Sequence, residues 1–196
     1  MGKEQLIVFT RYPEAGKAKT RLIPALGATR AAELHRQMTE KTIAKSRTLN
    51  LPISIHFTGG TLAQMQHWLG SDLVYYPQRS GDLGDRLTDA FQIAFDQEAK
   101  SAIAIGTDCP ELTPEILALA FSNLKTEDVT LGGATDGGYY LIGLNRFVPD
   151  VFQNIQWSTE IVFQQTVEIV KRLGLSIAEL PTLHDIDRPE DLQYLT

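Results

Sequence analysis

The sequence contains 196 residues, of which 43% are hydrophobic, and it carries a formal net charge of −6. This length and apolar content predict a single domain over residues 1–196, and the acidic balance argues against a nucleic-acid partner, which needs a broad basic surface. Cys109 is the single cysteine, which excludes an intramolecular disulfide and a cysteine-based zinc cluster.

The sequence predicts neither a membrane partner nor export. Residues 1–5 pass directly into an apolar strand pattern without a signal region, and no apolar run approaches the length of a membrane span. We therefore expect a soluble, cytoplasmic protein.

Apolar runs typical of strands alternate with helical patterns along most of the chain. Strands are predicted at residues 4–9, 52–58, 73–76, 101–106, 128–133, 138–144 and 175–180. Helices are predicted at residues 27–48, 61–69, 84–98, 113–124, 159–173 and 189–195. Thr113 followed by Pro114 is typical of a helix N-terminus. The alternation predicts an α/β fold with a parallel sheet, in which the run at 138–144 either pairs antiparallel or interrupts the pattern.

Four cations follow the first predicted strand within a dozen residues, namely Arg11, Lys17, Lys19 and Arg21. They lie on a loop that also holds Gly16, just before a long helical pattern. Side-chain charge and backbone N–H groups converge at such a position and favour phosphate binding. A solvated basic turn is the alternative explanation.

A polar loop with two glycines follows the third predicted strand at residues 78–86. It contains Gly81, Asp82 and Arg86, and it belongs to the same face of the molecule as the basic loop. The loop is a candidate for contact with a base or ribose. An ordinary loop with a helix cap explains it equally well.

Thr107 and Asp108 directly follow an apolar run at 102–106, which is typical of a central strand covered on both faces. Ligands of open α/β sheets bind beyond the carboxyl ends of such strands. A carboxylate there suits Mg²⁺ or Mn²⁺, which prefer oxygen ligands and usually keep waters and substrate phosphates. The alternative is that Asp108 caps the following turn. Cys109 is expected to be a small buried residue, since no histidine is placed to activate it.

Four glycines within seven residues surround Asp136 and precede an aromatic strand. Glycines let a ligand approach the backbone closely, so the segment predicts a pocket wall, although Asp136 and Gly137 could equally form a plain hairpin turn. Further along, Ser158 or Thr159 is expected to cap the next helix. Trp157 is expected in the core, with stacking on a sugar or base as the alternative.

Several general motifs are absent. The first loop does not match a Walker A motif, because Arg11 stands where a glycine is required and Ala18 stands where Ser or Thr is required. There is no G-x-G-x-x-G dinucleotide fingerprint and no G-x-S-x-G nucleophile motif. The histidines lack metal-ligand spacing and are expected on helix surfaces or loops; they are His35, His56, His67 and His184. The carboxylates Asp185 and Asp187 before the last predicted helix are explained by capping.

Together these segments resemble the nucleotide-diphosphosugar transferase superfamily with the GT-A fold, and most closely a family of small stand-alone bacterial glycosyltransferase-like proteins. The matching motifs are Lys-x-Lys-Thr-Arg-Leu at 17–22, Gly-Thr-Asp-Cys-Pro at 106–110, Asp-Gly-Gly-Tyr-Tyr-Leu-Ile-Gly at 136–143, Trp-Ser-Thr at 157–159 and Ile-Asp-Arg-Pro-Glu-Asp-Leu at 186–192. The resemblance covers nearly the whole chain. It implies a GT-A (Rossmann-like) three-layer α/β/α sandwich with a mostly parallel mixed sheet.

The resemblance also implies a metal site for Mg²⁺ or Mn²⁺. Asp108 corresponds to the ligand of the short Asp motif, and Asp187 corresponds to a second ligand before the final helix. Two departures affect this site: Arg188 stands where Thr is usual, and Gly106 and Pro110 replace the second carboxylate of an Asp-x-Asp motif. Asp187 or water must therefore supply the second contact.

The residues implied for the site fall into four groups. The catalytic residues are Lys19, Arg21 and Asp136, with Glu160 as an alternative base. The nucleotide- and phosphate-binding residues are Arg11, Gly16, Lys17, Lys19, Arg21, Gly81, Asp82, Arg86 and Thr107. The acceptor-binding residues are Gly137, Tyr139, Tyr140, Trp157, Thr159 and Glu160. The metal ligands are Asp108 and Asp187.

Two transfer reactions are consistent with the resemblance. The usual label of the family favours glycosyl transfer from a nucleotide-sugar donor to a small-molecule acceptor. The basic first loop favours nucleotidyl transfer from a nucleoside triphosphate to a phosphorylated acceptor, because the leaving pyrophosphate is highly charged. A nucleotide-binding protein without catalysis is a third interpretation. The sequence leaves the base, the acceptor and the formation of a homodimer open.

Overall fold

The computed structural model describes residues 3–195 and places seven strands of this range in one sheet. The strands are β1 (Lys3–Arg11), β2 (Ile53–Thr58), β3 (Val74–Pro77), β4 (Ala99–Ile105), β5 (Val129–Ala134), β6 (Tyr139–Leu144) and β7 (Ile177–Leu183). Their order is β3-β2-β1-β4-β6-β5-β7, and every neighbouring pair is parallel except β4–β6 and β5–β6. The predicted mostly parallel mixed sheet is confirmed, with the run at 138–144 antiparallel to its neighbours.

Helices connect the strands and cover both faces of the sheet. They are α1 (Ile23–Leu26), α2 (Ala28–Arg47), α3 (Leu62–Leu69), α4 (Leu83–Asp96), α5 (Pro114–Asn123) and α6 (Val162–Arg172). Shorter 3₁₀ segments are Thr20–Leu22, Pro149–Phe152 and Pro189–Tyr194. The segment predicted as a final helix at 189–195 is thus a 3₁₀ helix of six residues rather than an α-helix.

The core forms two layers, one on each side of the sheet, because the central strands are apolar on both faces. In β1, Leu6 and Val8 pack with α2, α3 and α5, whereas Ile7 packs on the other side with α4 and α6. The expected three-layer α/β/α sandwich is therefore confirmed. No helix within residues 3–195 combines the length and apolar character needed to cross a membrane.

The order of strands reverses next to β1. The chain adds β2 and β3 on one side of β1 and then returns to place β4 on the other. Such a switch point opens a crevice beyond the carboxyl ends of the strands. Buried hydroxyl groups tie these ends to α2, since Thr39 Oγ1 lies 3.2 Å from both Thr10 Oγ1 and Thr107 Oγ1. The turn that carries Asp108 is therefore anchored beside the end of β1.

Helix starts follow the sequence prediction at α5 but not at α6. Thr113 Oγ1 accepts a hydrogen bond of 3.4 Å from the backbone N–H three residues on, which confirms the predicted cap. Ser158 and Thr159 do not cap α6, which begins at Val162 without a side-chain cap. Ser158 adopts a φ of +65°, and the Thr159 hydroxyl donates backwards to the Gln156 carbonyl oxygen. The loop before α6 thus keeps its polar side chains exposed.

Candidate active site

A cleft of about 880 Å³ opens beyond the carboxyl end of β4 and beside the β5–β6 hairpin. Its walls come from segments far apart in sequence: the turn after β4, the hairpin at 134–140, the loop at 157–162 and the segment at 185–191. Arg21 reaches the cleft from the first loop. The cleft therefore lies at the switch point, where a ligand is expected in an open α/β sheet.

Lys19 lies between the two predicted metal ligands. Its Nζ is 3.0 Å from Asp108 Oδ1 and 4.0 Å from Asp187 Oδ1, and it donates a hydrogen bond of 2.5 Å to the Ile186 carbonyl oxygen. The Lys19 side chain is only 5% exposed, whereas that of Asp108 is 47% exposed and lines the cleft. The cationic first loop and Asp108 thus share one site.

The backbone of Ile186 joins the segments that carry these groups. Its N–H donates to the Asp108 carbonyl oxygen at 2.9 Å, and its own carbonyl accepts from Lys19. The Ile186 side chain is fully buried in a small core cluster with Leu22 of the first loop and Met38 of α2. One buried residue therefore fixes the spacing of the three charged groups.

Arg21 provides a second cation at the site. Its Nη1 pairs with Asp187 Oδ2, and this hydrogen bond raises the pKa of the Arg21 guanidinium. The Arg21 side chain is 61% exposed, so the pair contributes little to stability. The guanidinium is consequently accessible to an anionic ligand, for which its fork of donors is well suited.

Asp108 and Asp187 fit a divalent cation in their chemistry. Asp108 Oδ1 is buried and, within the described part of the chain, contacts an ammonium but has no hydrogen-bond partner. No group of three or more His, Cys, Asp or Glu side chains that could hold a metal gathers anywhere in residues 3–195. Two carboxylates completed by water and substrate phosphates are a usual ligand set for Mg²⁺. An ion here would therefore complete its coordination with water and substrate oxygens.

The β5–β6 hairpin and the loop before α6 form the opposite wall. Asp136 Oδ1 accepts a hydrogen bond of 2.8 Å from the backbone N–H two residues on, so this residue both forms the turn and lines the cleft. Gly137 has a φ of +86°, and a Cβ there would come within 2.0 Å of the Glu160 carbonyl oxygen. Trp157 packs edge-on against Tyr139 with ring centroids 6.3 Å apart. Hairpin and loop thus form one continuous surface.

Comparison with known proteins identifies the family. The family model described as "Uncharacterized protein conserved in bacteria (DUF2064)" matches residues 41–159. The crystal structure of a candidate nucleotide-diphospho-sugar transferase from Desulfovibrio desulfuricans G20 shares 35% identity and a TM-score of 0.93, covering 98% of this chain and 85% of that one. The chain belongs to the DUF2064 family. No curated protein matches it.

More distant structures share the fold of this DUF2064 protein. Rv0371c from Mycobacterium tuberculosis H37Rv, in complex with manganese, is 15% identical with a TM-score of 0.58, covering 98% of this chain and 97% of that one. A CMP:2-keto-3-deoxy-manno-octonic acid synthetase complexed with CTP is 14% identical with a TM-score of 0.56, covering 98% and 96%. With the closer relative, the fold places the DUF2064 chain in the nucleotide-diphosphosugar transferase superfamily, as a transferase.

Several residues predicted to bind the nucleotide lie outside the cleft. Lys17 is exposed and pairs with Glu14 at 2.9 Å. Asp82 caps α4, which agrees with the alternative interpretation of this loop as an ordinary helix start. Arg86 Nη1 lies 3.4 Å from Gln78 Oε1. Lys19 does not line the cleft itself but contacts Asp108, which does. The other predicted residues that do not line the cleft are Arg11, Gly16, Lys17, Gly81, Asp82, Arg86 and Thr107. Their contact with a nucleotide stays a prediction. It would require a ligand that extends past the cleft towards β2 and β3.

The predicted acceptor residues differ in accessibility. Tyr140 borders the cleft, but its side chain packs in the core and its hydroxyl donates to the Pro181 carbonyl oxygen at 3.0 Å. The Tyr139 hydroxyl is buried without a partner among residues 3–195, and burial raises its pKa. Trp157 is half-buried, and Glu160 is exposed. Thr159 is also exposed and lines the cleft, so Thr159 and Glu160 offer an acceptor the most accessible side chains, followed by Trp157.

Asp185 is a cleft residue that the sequence assigned to capping. The cap is instead supplied by Asp191, whose carboxylate accepts from the backbone N–H groups of Asp187 and Arg188. Burial, followed by the charge of Asp136, raises the pKa of Asp185 to about 6. A signal was present in the sequence: two acids on either side of an apolar residue in an extended segment point to the same side.

The prediction that the histidines lie on helix surfaces or loops is wrong for His35 and His56, which are both buried. His35 is buried on α2, with Nε2 2.9 Å from the Arg11 carbonyl oxygen and Nδ1 4.0 Å from Asp108 Oδ1. Burial lowers the pKa of His35, and it lowers the pKa of the buried His56 to about 4. Cys109 is buried as predicted, and burial raises the pKa of its thiol, which agrees with the exclusion of a thiol nucleophile.

Proposed function

We propose that this protein transfers a glycosyl group from a nucleotide-sugar donor to a small-molecule acceptor, with Mg²⁺ or Mn²⁺ held by Asp108 and Asp187. The observation that carries the proposal is the meeting of these two carboxylates around the Lys19 ammonium at the end of the central strand β4. The 35% identity to a candidate nucleotide-diphospho-sugar transferase supports the donor class. The manganese in the Rv0371c complex agrees with the kind of ion.

The donor diphosphate would lie over Asp108 and Asp187, within reach of Lys19 and Arg21. The ion, when bound, would neutralise part of the diphosphate charge. The Lys19 ammonium and the Arg21 guanidinium would stabilise the negative charge that develops on the departing nucleoside diphosphate. Positioning and charge stabilisation suffice for such a transfer, so a covalent nucleophile is not needed.

The acceptor would lie against the hairpin and the Trp157 loop. The cleft as a whole is lined by six carboxylates and two guanidinium groups, and Asp136, Glu160 and Asp185 belong to its acidic side. This field repels an anionic acceptor, attracts a cationic one and does not oppose a neutral one. The charge therefore favours glycosyl transfer over nucleotidyl transfer to a phosphorylated acceptor. Asp136 or Glu160 would take the proton of the acceptor hydroxyl.

The test is the identity of the released product. The protein is incubated with Mg²⁺ or Mn²⁺ and with panels of nucleotide sugars and nucleoside triphosphates, and each panel is combined with neutral, cationic and phosphorylated acceptors. We expect nucleoside diphosphate to be released from a nucleotide sugar. Asp108→Asn should lower that rate by about 100-fold or more, whereas Asp150→Asn, an exposed carboxylate outside the cleft, should not.

Two results would contradict the proposal in different ways. Release of pyrophosphate from a triphosphate, with no release from nucleotide sugars, would replace it with nucleotidyl transfer. An absence of nucleotide-dependent thermal stabilisation across both panels would remove the basis of either reaction.

A further inference from the structure

The Lys19 ammonium occupies the place between the two carboxylates that a metal ion would also need. Its Nζ contacts Asp108 Oδ1 at 3.0 Å and lies 4.0 Å from Asp187 Oδ1. Within the proposed function, we infer that Lys19 is a built-in cation that keeps a free divalent ion out. The ion enters together with a diphosphate group, which draws the ammonium away from the carboxylates.

The charges at this place support the inference. Lys19 and Arg21 balance the charges of Asp108 and Asp187 before any ligand binds. A dication bound alone would add two positive charges beside a largely enclosed ammonium, in surroundings where charges are weakly screened. A diphosphate group brings the compensating negative charge and gives the Lys19 ammonium a new partner.

The ligand count supports it independently. No cluster of three or more His, Cys, Asp or Glu side chains is assembled in the part of the chain that the structure describes. Within residues 3–195, side chains of these four types therefore offer an ion at most two ligands, the carboxylates of Asp108 and Asp187 beside Lys19. Magnesium sites with one or two protein carboxylates are usually completed by water and substrate phosphates.

The first loop allows the Lys19 side chain to move while the loop backbone keeps its position. Ala18 and Leu22 on either side are buried at 1% and 0% exposure, and they fix the loop to the core. Lys19 itself has left-handed backbone angles, φ 48° and ψ 47°, just before the 3₁₀ segment Thr20–Leu22. Its flexible four-carbon stem can carry the ammonium from the carboxylates to a phosphate without a loop rearrangement.

The experiment measures metal binding without turnover. Free Mn²⁺ is titrated with protein by electron paramagnetic resonance, and nucleoside diphosphates (UDP, GDP, CDP, ADP and dTDP in turn) are titrated by calorimetry with and without Mn²⁺. Wild type should bind free Mn²⁺ weakly and should bind one of the diphosphates far more tightly when Mn²⁺ is present. Lys19→Met, which keeps the stem and removes the charge, should bind free Mn²⁺ about tenfold more tightly or better. The same variant should bind the diphosphate more weakly.

Three further variants make the result specific. Circular dichroism checks that each variant folds. Lys19→Gln also removes the charge and replaces Lys19→Met if that variant does not fold. Lys19→Arg keeps the charge and should retain weak binding of free Mn²⁺. Lys171→Met removes an exposed cation at the end of α6 and should match wild type.

The outcomes separate this inference from the proposed function. Equal binding of free Mn²⁺ by wild type, Lys19→Met and Lys19→Gln, with diphosphate binding intact in wild type, would overturn the inference alone. If wild type binds no diphosphate with or without Mn²⁺, the proposed function fails and the inference fails with it.

Discussion

Acidification should destabilise the protein through one buried histidine in β2. His56 is 2% exposed and lies between Phe9, on which its ring stacks at a centroid distance of 5.5 Å, and Tyr76, whose tilted ring is 5.1 Å away. Its Nε2 atom is buried and has no hydrogen-bond partner within residues 3–195. Burial therefore disfavours the charged imidazolium and lowers the pKa of His56 from 6.5 to about 4.

The direction of the effect follows from proton binding in the two states. The unfolded chain binds a proton at His56 near pH 6.5, whereas the folded protein resists that proton until about pH 4. The stability that depends on the neutral ring is fully present above pH 6.5 and is lost as the pH falls towards 4. The whole shift corresponds to roughly 3 kcal/mol, of which about 2 kcal/mol is lost by pH 5.

The assay is urea unfolding of wild type and His56→Phe at pH 7.5 and pH 5.0. Phenylalanine keeps the ring stack but cannot take a proton, and comparing the two proteins cancels the contribution of the carboxylates. Wild type should lose about 2 kcal/mol more free energy of unfolding than the variant between the two pH values. His67→Phe, at an exposed position of α3, should behave as wild type. Equal losses in wild type and His56→Phe would refute the reasoning.

Two glycines in contact with the loop before α6 or with Trp157 give further predictions. Gly137→Ala forces a Cβ to within 2.0 Å of the Glu160 carbonyl oxygen at a φ of +86°, so the free energy of unfolding in urea should fall by about 2 kcal/mol more than in Gly174→Ala, where φ is +70° and the space is open. A similar loss in both variants would show that hairpin and loop are not in contact. Gly84→Ala places a Cβ 2.9 Å from Trp157 Nε1 and 2.7 Å from a backbone carbonyl oxygen, so it should shift the tryptophan emission to longer wavelength by displacing the indole. Unchanged emission together with unchanged stability would contradict this packing.

The regular elements were predictable because their signals are local. The apolar run at 102–106 and the period of α2 are readable without knowledge of their neighbours, and the structure places both as expected. The same period could have identified His35 as buried, since it falls on one stripe of α2 with Ala31, Met38 and Thr42. Its polar side chain concealed that position, because a buried histidine needs a partner such as the Arg11 carbonyl oxygen.

The loop before α6 shows where local rules fail. Ser158 and Thr159 have the chemistry of helix caps, but the contact of this loop with Gly137 displaces the start of α6 to Val162. The Phe163 N–H donates to the Gly137 carbonyl oxygen at 2.9 Å, so the first turn of the helix is capped by the hairpin instead. A cap supplied from a distant strand leaves no local sequence signal.

The candidate site depends on contacts between distant parts of the chain. The family resemblance predicted that Asp108 and Asp187 share this site, whereas the local sequence pattern did not. Asp108 follows a central strand, whereas Asp187 follows β7 at the edge of the sheet, 79 residues later. The chain returns from that edge to the centre because Ile186 enters the small core cluster beneath the first loop. Once there, its N–H and carbonyl bond to the segments of Asp108 and Lys19. The burial of one apolar side chain therefore sets the distance between two carboxylates and an ammonium, so stability and the proposed ligand binding would depend on the same contact.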